Sequence, residues 1–184
     1  MKKGNLAVYV LRISLTLLAI TAFVALALAG VNAVTAERIA QIKQEKMQQA
    51  MAEVLPGAQD LESVAFTDAT GTVKTVYASE EGFVVEVTPA GFGGAITMMV
   101  GIKADGTVNG ISIVSHTETA GLGSVAAADT SAGEAFRGQF VGLSGALAVD
   151  KDGGEIDSIT SATITSRAVT AGVNAALACV AGLG

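Results

Sequence analysis

The chain has 184 residues with a formal net charge of −6, and 51% of its residues are hydrophobic, yet it contains no Trp, one His and one Cys. This length suits one domain with an appendage rather than two full domains. One Cys excludes an intrachain disulfide, and the acidic balance argues against a nucleic-acid partner, because phosphate binding needs a basic face.

The first predicted element is a membrane anchor. Residues 13–36 carry no charged side chain, and as a helix this segment is long enough to cross a bilayer core of roughly 30 Å. Lys2, Lys3 and Arg12 precede it, whereas all 17 acidic residues and only 8 of the 11 basic residues follow it. By the positive-inside rule, we expect a single-pass protein of the inner (cytoplasmic) membrane, with its N-terminus in the cytoplasm and the remainder outside.

A cleaved signal peptide is the alternative to a retained anchor. The residues Val34-Thr35-Ala36 would form an acceptable cleavage site. The apolar segment is longer than the hydrophobic region of about 7–15 residues that is usual in such peptides, which favours the anchor. Membrane lipid is then one of the expected partners.

A helix is predicted after the anchor, over residues 37–55. Its apolar residues recur at helical spacing, and Pro56-Gly57 ends it. We interpret residues 37–56 as a helical stalk, which would divide the anchor region, residues 1–36, from a domain over residues 57–184.

Short strand patterns dominate the first half of that domain. We expect strands over residues 63–66, 72–77, 83–88, 95–103, 107–115 and 146–149. One or two short helices are expected within residues 125–139, and an Ala-rich helix over residues 167–180, in which Cys179 is a small buried residue. The predicted fold class is therefore α+β, with a twisted, mainly antiparallel sheet flanked by helices.

Two loops next to the strongest strands have the composition of a functional site. Gly91-Phe92-Gly93-Gly94 precedes the strand at 95–103, and glycines allow positive φ or the close approach of a ligand. His116 and Glu118 follow the strand at 107–115. They form a weak metal pattern, and no nucleophile–His–acid spacing accompanies them, so we expect no metal site and assign no chemistry to this loop from its residues alone.

The segment from Asp157 to Ser166 is dense in hydroxyl groups and leads into the last predicted helix. Ser and Thr at a helix start commonly cap the unpaired backbone N–H groups of the first turn. A helix N-terminus also binds phosphate, because its free N–H groups and positive dipole end point outward. Capping and covalent attachment of a phosphate-containing group to a Thr are the two interpretations.

The order of residues in this segment resembles the flavinylation motif of the FMN-binding domain family. The matching residues are Asp157, Thr160, Ser161, Ala162 and Thr163. In that family a flavin transferase splits FAD and joins FMN, through its phosphate, to a Thr or Ser hydroxyl, so the resemblance implies that Thr163 carries FMN covalently. Ser161 stands where Gly is most common. Thr165 and Ser166 are competing positions that lie past the motif.

Two further segments resemble signatures of the same family. Residues 116–123 are similar to a His followed by Glu-Thr-Pro-Gly-Leu-Gly, with Ala120 in place of Pro. Residues 91–94 are similar to a glycine motif that often has Tyr where Phe92 stands. Besides Thr163, the resemblance implies a cofactor site that contains Thr160, Ser161, Ala162, Thr165, His116, Glu118, Thr119, Gly121, Leu122, Gly123, Gly93 and Gly94.

The roles of three of these polar residues are open. His116 and Glu118 either face the flavin or hold the loop. Asp157 is a determinant for the transferase or a cap for a local turn. Gly121 and Gly123 are expected to give the backbone access to the flavin ring.

The arrangement of a single N-terminal anchor followed by this domain resembles one branch of the family, the G subunits of Rnf-type ferredoxin:NAD oxidoreductases. The resemblance implies an electron-transfer subunit that relays electrons between the other subunits of a complex and couples them to ion translocation. The flavin transferase is a further implied partner. Because the redox chemistry would belong to the flavin, no side chain is expected to act as a general acid or base. The alternatives are the C subunits of sodium-translocating NADH:quinone reductases, a stand-alone extracytoplasmic flavin reductase, and a sensory module.

Overall fold

The chain divides into two compact units, Met1–Gln44 and Glu45–Gly184. The structure, a computed structural model, describes residues 3–68 and 70–183. Lys2, which the predicted orientation uses, lies outside the described residues, as do the outer ends of the predicted domain ranges at residues 1 and 184.

Helix α1 spans Lys3–Val54 and contributes to both units. Its end is set by Pro56 and by Gly57, whose φ of 90° is a left-handed conformation that favours glycine. In the first unit every residue from Val8 to Gln44 is exposed. The helix predicted at 37–55 is confirmed as part of α1, and the division into an anchor and a separate stalk stays a prediction.

The second unit is an α+β domain with an open, fully antiparallel sheet, as predicted. Its five strands lie in sequence order: β1 (Glu62–Val64), β2 (Val73–Ser79), β3 (Gly82–Val87), β4 (Thr97–Lys103) and β5 (Val108–Ser115). The five strands that the sequence predicts up to residue 115 are confirmed within a few residues. Short connections between β2 and β3 and between β4 and β5 explain why neighbours in sequence are neighbours in the sheet.

The strand predicted at residues 146–149 is wrong. Only Val149 forms an isolated bridge, to Ile156. The side chain of Asn174 takes both backbone groups of Leu147, because it accepts from the Leu147 N–H at 2.9 Å and donates to the Leu147 carbonyl at 2.8 Å. With its N–H and carbonyl bonded to a helix side chain, Leu147 cannot extend a strand ladder.

Helices cover both faces of the sheet. Alternate residues of a strand point to opposite faces, so Val85 and Val87 lie in the main core with helix α3 (Thr163–Ala181), whereas Val84 packs against the last turns of α1. Helix α2 (Ser131–Gly138) also contributes to the main core. It follows a 3-10 helix at Gly123–Ala127, which confirms the two short helices that were expected within residues 125–139.

The last turns of α1 are tied to the sheet by polar contacts. The amide of Asn109 donates to the Val54 carbonyl at 2.8 Å, and the Ser112 hydroxyl donates to the Glu53 carboxylate at 2.8 Å. Gly101 lets the helix approach, since a Cβ at that position would lie 3.0 Å from the Val54 Cβ. This end of α1 is therefore an integral part of the domain.

Helix α3 (Thr163–Ala181) begins four residues before the predicted helix and is largely buried. Among the described residues, two helices are long and apolar enough to cross a membrane, α1 from Val8 onward and α3. Packing in the core accounts for the apolar composition of α3. Cys179 is buried on this helix, as predicted, and burial raises the pKa of its thiol.

Candidate functional site

The sheet register brings two of the predicted loops together. Thr97 at the start of β4 pairs with Ser115 at the end of β5. The glycine loop that enters β4 and the His-containing loop that leaves β5 therefore lie at one edge of the sheet. The Thr117 hydroxyl donates to the Gly93 carbonyl at 2.9 Å and joins them.

Glu118 is the junction of three segments. Its side chain is buried, with 8% exposed. Oε1 accepts from the Gly93 N–H at 2.8 Å, and Oε2 accepts from the hydroxyl of Thr165 in the first turn of α3. The carboxylate therefore links the glycine loop, the loop after β5 and helix α3, which are far apart in sequence.

The glycines around Glu118 are needed for packing. A Cβ on Gly123 would lie 2.6 Å from Oε2 of Glu118, and a Cβ on Gly91 would also collide with the carboxylate. Gly94 has φ of 148°, where a side chain would be strained. Gly121, by contrast, has open space where a Cβ would be and φ of 74°. Its turn is held by a bond of 2.9 Å from the Gly121 N–H to the Ser124 hydroxyl.

His116 supports the same loop. Its Nδ1 accepts from the Glu118 N–H at 3.2 Å. Among the described residues, no three His, Cys, Asp or Glu side chains are grouped as a metal site would require.

The interpretation that hydroxyl groups cap α3 is wrong. The N-cap residue is Ala162, which has no side-chain acceptor, and the first intrahelical bond runs from the Ser166 N–H to the Ala162 carbonyl at 3.0 Å. The Ser166 hydroxyl accepts from the Ile159 N–H at 3.0 Å. The hydroxyls of Thr165 and Ser166 thus hold neighbouring segments, and the first N–H groups of α3 have no partner within the helix.

The hydroxyl group of Thr163 differs from those of its neighbours. Thr163 is half-buried, and its hydroxyl makes no hydrogen bond to any residue that the structure describes, whereas Thr165 and Ser166 are buried and bonded. Of these three hydroxyls, Thr163 is the one that is free for chemistry.

The turn before Thr163 is unusual in its backbone. Ser161 has φ of 62°, in the left-handed region, which L-residues other than Asn and Asp rarely adopt. Glycine adopts this conformation without a steric penalty. A backbone requirement therefore explains why glycine suits this position of the motif.

An acidic turn at residues 150–152 holds Ser158, near the start of the motif, and Arg167, in the helix that follows the motif. Asp150 accepts from the Ser158 N–H at 3.0 Å. Arg167 donates twice to Asp152, at 2.7 and 2.6 Å. The Lys151 ammonium and Ser158 hold the pKa of the Asp150 carboxyl well below its usual range, and the Arg167 guanidinium lowers the pKa of Asp152.

A cavity of about 340 Å³ lies where these segments meet. Its lining residues are Phe92, Glu118, Thr119, Leu122, Gly123, Ser161, Ala162, Thr163, Ile164 and Thr165. Most of the predicted site residues are thus brought to one cavity, with polar groups at the start of α3 and apolar side chains around them.

Five predicted residues do not line this cavity. Gly93 donates its N–H to the Glu118 carboxylate, and His116 accepts from the Glu118 N–H. Gly94 is close to the side chain of Thr117. Thr160 and Gly121 line a neighbouring groove of about 580 Å³ beside α2. Their assignment to cofactor binding stays a prediction.

Asp157 also lies on the groove beside α2. It is exposed, and its backbone pairs with the Gln139 side chain at 2.7 and 3.2 Å. Its carboxylate caps no turn among the described residues, and a role as a determinant for the transferase stays a prediction.

Two apolar residues of the cavity were missed as site residues. Phe92 is 67% exposed and Ile164 is 51% exposed, and with Leu122 they form an apolar rim. The signal that could have found them is a large apolar side chain in a short segment otherwise made of Gly, Ser and Thr, where no core position is available for it.

Comparisons with known proteins match the whole of this site. The FMN-binding domain family matches residues 91–178, which contain all three segments. The chain is 36% identical, over 90% of its length, to the G subunit of the Na(+)-translocating ferredoxin:NAD(+) oxidoreductase complex of Acetobacterium woodii and covers 88% of that protein.

Two further relatives have similar coverage. The chain is 39% identical, over 87% of its length, to the G subunit of the proton-translocating ferredoxin:NAD(+) oxidoreductase complex of Clostridium ljungdahlii, of which it covers 86%. It is 32% identical, over 90% of its length, to the G subunit of the ion-translocating oxidoreductase complex of Methanosarcina acetivorans, of which it covers 92%.

Proposed function

The chain belongs to the FMN-binding domain family, among the G subunits of ion-translocating oxidoreductase complexes, and we propose that it is an electron-transfer subunit of an Rnf-type complex. Two of the relatives are named as subunits of ferredoxin:NAD(+) oxidoreductases, and the chain covers most of the length of both. This favours the Rnf-type branch over the NADH:quinone reductase branch. The other subunits of the complex are the proposed partners.

The residues of the cavity fit FMN. The apolar rim of Phe92, Leu122 and Ile164 offers contact area for an isoalloxazine ring, and the volume lies within the usual range of roughly 300–1,000 Å³ for ligand pockets. The unpaired N–H groups and positive dipole end of α3 suit a phosphate. FMN when bound supplies the electron-transfer chemistry, and the protein supplies position and electrostatics.

We propose that FMN is joined covalently to Thr163. The observation that carries this proposal is the free Thr163 hydroxyl in the cavity, whereas the nearby hydroxyls of Thr165 and Ser166 are already hydrogen-bonded. In the reaction, Oγ1 of Thr163 forms a bond to the FMN phosphorus of FAD, the pyrophosphate bond breaks, AMP leaves, and the hydroxyl proton passes to solvent. A flavin transferase is the proposed catalyst.

A covalent bond has a physical rationale in this chain. The protein has no Trp and only eight Phe and Tyr residues, so few rings are available to enclose an isoalloxazine. A phosphoester bond keeps FMN in place without tight noncovalent binding, which matters outside the cytoplasm, where free flavin would be diluted away. The ring then remains accessible to redox partners at the apolar rim.

We also propose that α1 anchors the domain in the cytoplasmic membrane. Residues 13–36 are uncharged, and the large apolar side chains of this stretch are exposed within their own unit. Exposed apolar surface of this extent is what a lipid-facing helix requires. The basic residues before it support an N-terminus in the cytoplasm and an extracytoplasmic FMN domain.

The attachment is tested with two matched variants made in cells that contain the transferase. Thr163→Val removes the hydroxyl and keeps the shape, whereas Thr163→Ser keeps the hydroxyl and removes the methyl group. Intact-mass analysis and fluorescence in a denaturing gel are expected to show bound FMN in the wild type and in Thr163→Ser and none in Thr163→Val. A wild-type protein of unmodified mass would contradict covalent binding, and a modified Thr163→Val would contradict the choice of residue.

A further inference from the structure

Glu118 places a buried carboxylate in the wall of the cavity, where it has no role in the proposed attachment. We propose that the negative charge of Glu118 lowers the midpoint potential of the flavin in this cavity. This proposal rests on the proposed function, and it assigns to Glu118 an electrostatic role in addition to its role in packing.

The carboxylate is neutralised by no cation that the structure describes. The ion pairs of the described residues are Arg137 with Asp129, Lys151 with Asp150, and Arg167 with Asp152. Both oxygens of Glu118 instead accept from neutral donors, the Gly93 N–H at 2.8 Å and the Thr165 hydroxyl. Hydrogen bonds from neutral groups stabilise a carboxylate but leave its net charge in place.

The position of this charge is fixed. Its two donors come from different segments, and the carboxylate lies close against Gly91 and Gly123, where a Cβ would collide with it. With 8% of its surface exposed, the side chain is poorly screened by water and salt. A fixed and poorly screened negative charge in the wall of the cavity disfavours the addition of electrons to a group bound there, and this lowers its midpoint potential.

The test compares two Glu→Gln variants of the full chain, each made with the transferase and purified in detergent. Glu118→Gln removes the charge inside the cavity. Glu155→Gln makes the same chemical change at an exposed position outside the cavity lining. Redox titration of the flavin absorbance is expected to show a higher midpoint potential for Glu118→Gln and an unchanged one for Glu155→Gln. Equal potentials in the two variants would overturn the proposal.

A third variant separates charge from loop packing. Thr165→Val keeps the carboxylate and removes one of its two donors, so its midpoint potential is expected to equal or lie below that of the wild type. A rise like that of Glu118→Gln would mean that loosening of the loop causes the shift, and the electrostatic proposal would fail. If Glu118→Gln takes up no flavin, a midpoint potential of Thr165→Val above that of the wild type overturns the proposal, and one equal to it or below it supports the proposal.

Intact mass distinguishes failure of this proposal from failure of the proposed function. A wild-type protein without the flavin adduct overturns both. A fully modified set of proteins with one common midpoint potential overturns only the role of Glu118.

Discussion

Neighbouring Ser and Thr residues at the start of α3 make different contacts because their side chains point in different directions. Thr165 donates to Glu118, Ser166 binds the backbone of the preceding segment, and Thr163 is free in the cavity. Ser161 adopts the left-handed conformation of the turn that leads into the helix. Each residue of the motif is thus constrained by a separate physical requirement.

At this scale we predict that Ser161→Gly stabilises the protein. An L-residue in the left-handed region costs roughly 1–2 kcal/mol, and the greater freedom of glycine in the unfolded chain offsets about half of that gain. The free energy of unfolding is therefore expected to rise by about 0.5–1 kcal/mol in urea titrations. Ser161→Val is the control with the opposite expected effect. It is expected to lower the free energy of unfolding by at least about 1 kcal/mol, because a β-branched residue is strained at positive φ.

Flavin content is the second readout for this pair. The glycine variant is expected to keep full flavinylation, since the turn geometry is retained. A glycine variant less stable than the wild type would show that the left-handed conformation of Ser161 is not a cost to the fold.

At the scale of secondary structure elements, single carboxylates hold several turns in place. Asp68 accepts from the Thr70 N–H at 2.8 Å, the Thr70 hydroxyl at 2.7 Å and the Val73 N–H at 2.8 Å, which sets the entry into β2. The turn at residues 150–152 holds Ser158 and Arg167, on either side of the turn that leads into α3, in the same way. These loops are ordered by charged acceptors because they are too polar to be ordered by apolar burial.

The Asp68 turn predicts a specific pH dependence of stability. Hydrogen bonds lower the pKa of Asp68 to about 2 from its usual 3.8, and the bond from the Thr70 hydroxyl is the largest cause. Because the folded-state pKa is depressed, this stabilisation is present above the unfolded pKa and is lost as pH falls from about 4 to about 2. Asp68→Asn is expected to cost about 1 kcal/mol at pH 7, since Asn has only one acceptor oxygen, and with that oxygen bonded to Thr70 its NH2 group cannot accept from the Val73 N–H.

The measurement is the urea unfolding midpoint of the wild type and Asp68→Asn across this pH range. The difference between the two proteins is expected to shrink below pH 4, while effects of the other carboxylates cancel because both proteins contain them. A difference that stays constant down to pH 2 would contradict the assignment.

At the scale of the whole molecule, the two units differ in what covers their apolar side chains. In the first unit they are exposed along α1. In the second unit the last turns of α1 bury Val84, Met99 and Val114 of the sheet. Helix α1 therefore serves the folded domain at its end, and we propose that its earlier part serves the membrane.

Two truncations separate these roles. Deletion of residues 1–36 is expected to move the protein from the membrane fraction to the soluble fraction and to leave the domain folded. Deletion of residues 1–56 also removes Val54 and Leu55, whose burial stabilises the fold by about 1.5–3 kcal/mol each, against a total stability of about 5–15 kcal/mol. The longer deletion is therefore expected to melt far lower or to aggregate. Equal melting temperatures would contradict the role of the last turns of α1.

Features that depend on neighbours in sequence could be predicted from the sequence alone. Alternation of apolar and polar residues predicted the strand that became β2, β-branched composition predicted β3, and the turn residues Ala104-Asp105-Gly106 indicated the hairpin of β4 and β5. The order of residues from Asp157 to Thr163 identified the motif, and its agreement with two distant loops identified the family. The turn at Gly57 and the long apolar segment were predicted for the same local reason.

Only the tertiary structure decided which distant groups meet. Glu118 and Thr165 are 47 positions apart, and no periodicity relates them. Asn174 prevented the strand at residues 146–149 by bonding Leu147, and hydrogen bonds to Glu118 and Ile159, rather than helix capping, engage the hydroxyls of Thr165 and Ser166. The hydroxyls of Thr165 and Ser166 are bonded to Glu118 and Ile159, whereas the hydroxyl of Thr163 is free in the cavity. This difference is decided by the tertiary structure, because it depends on which segments the folded chain brings beside each hydroxyl.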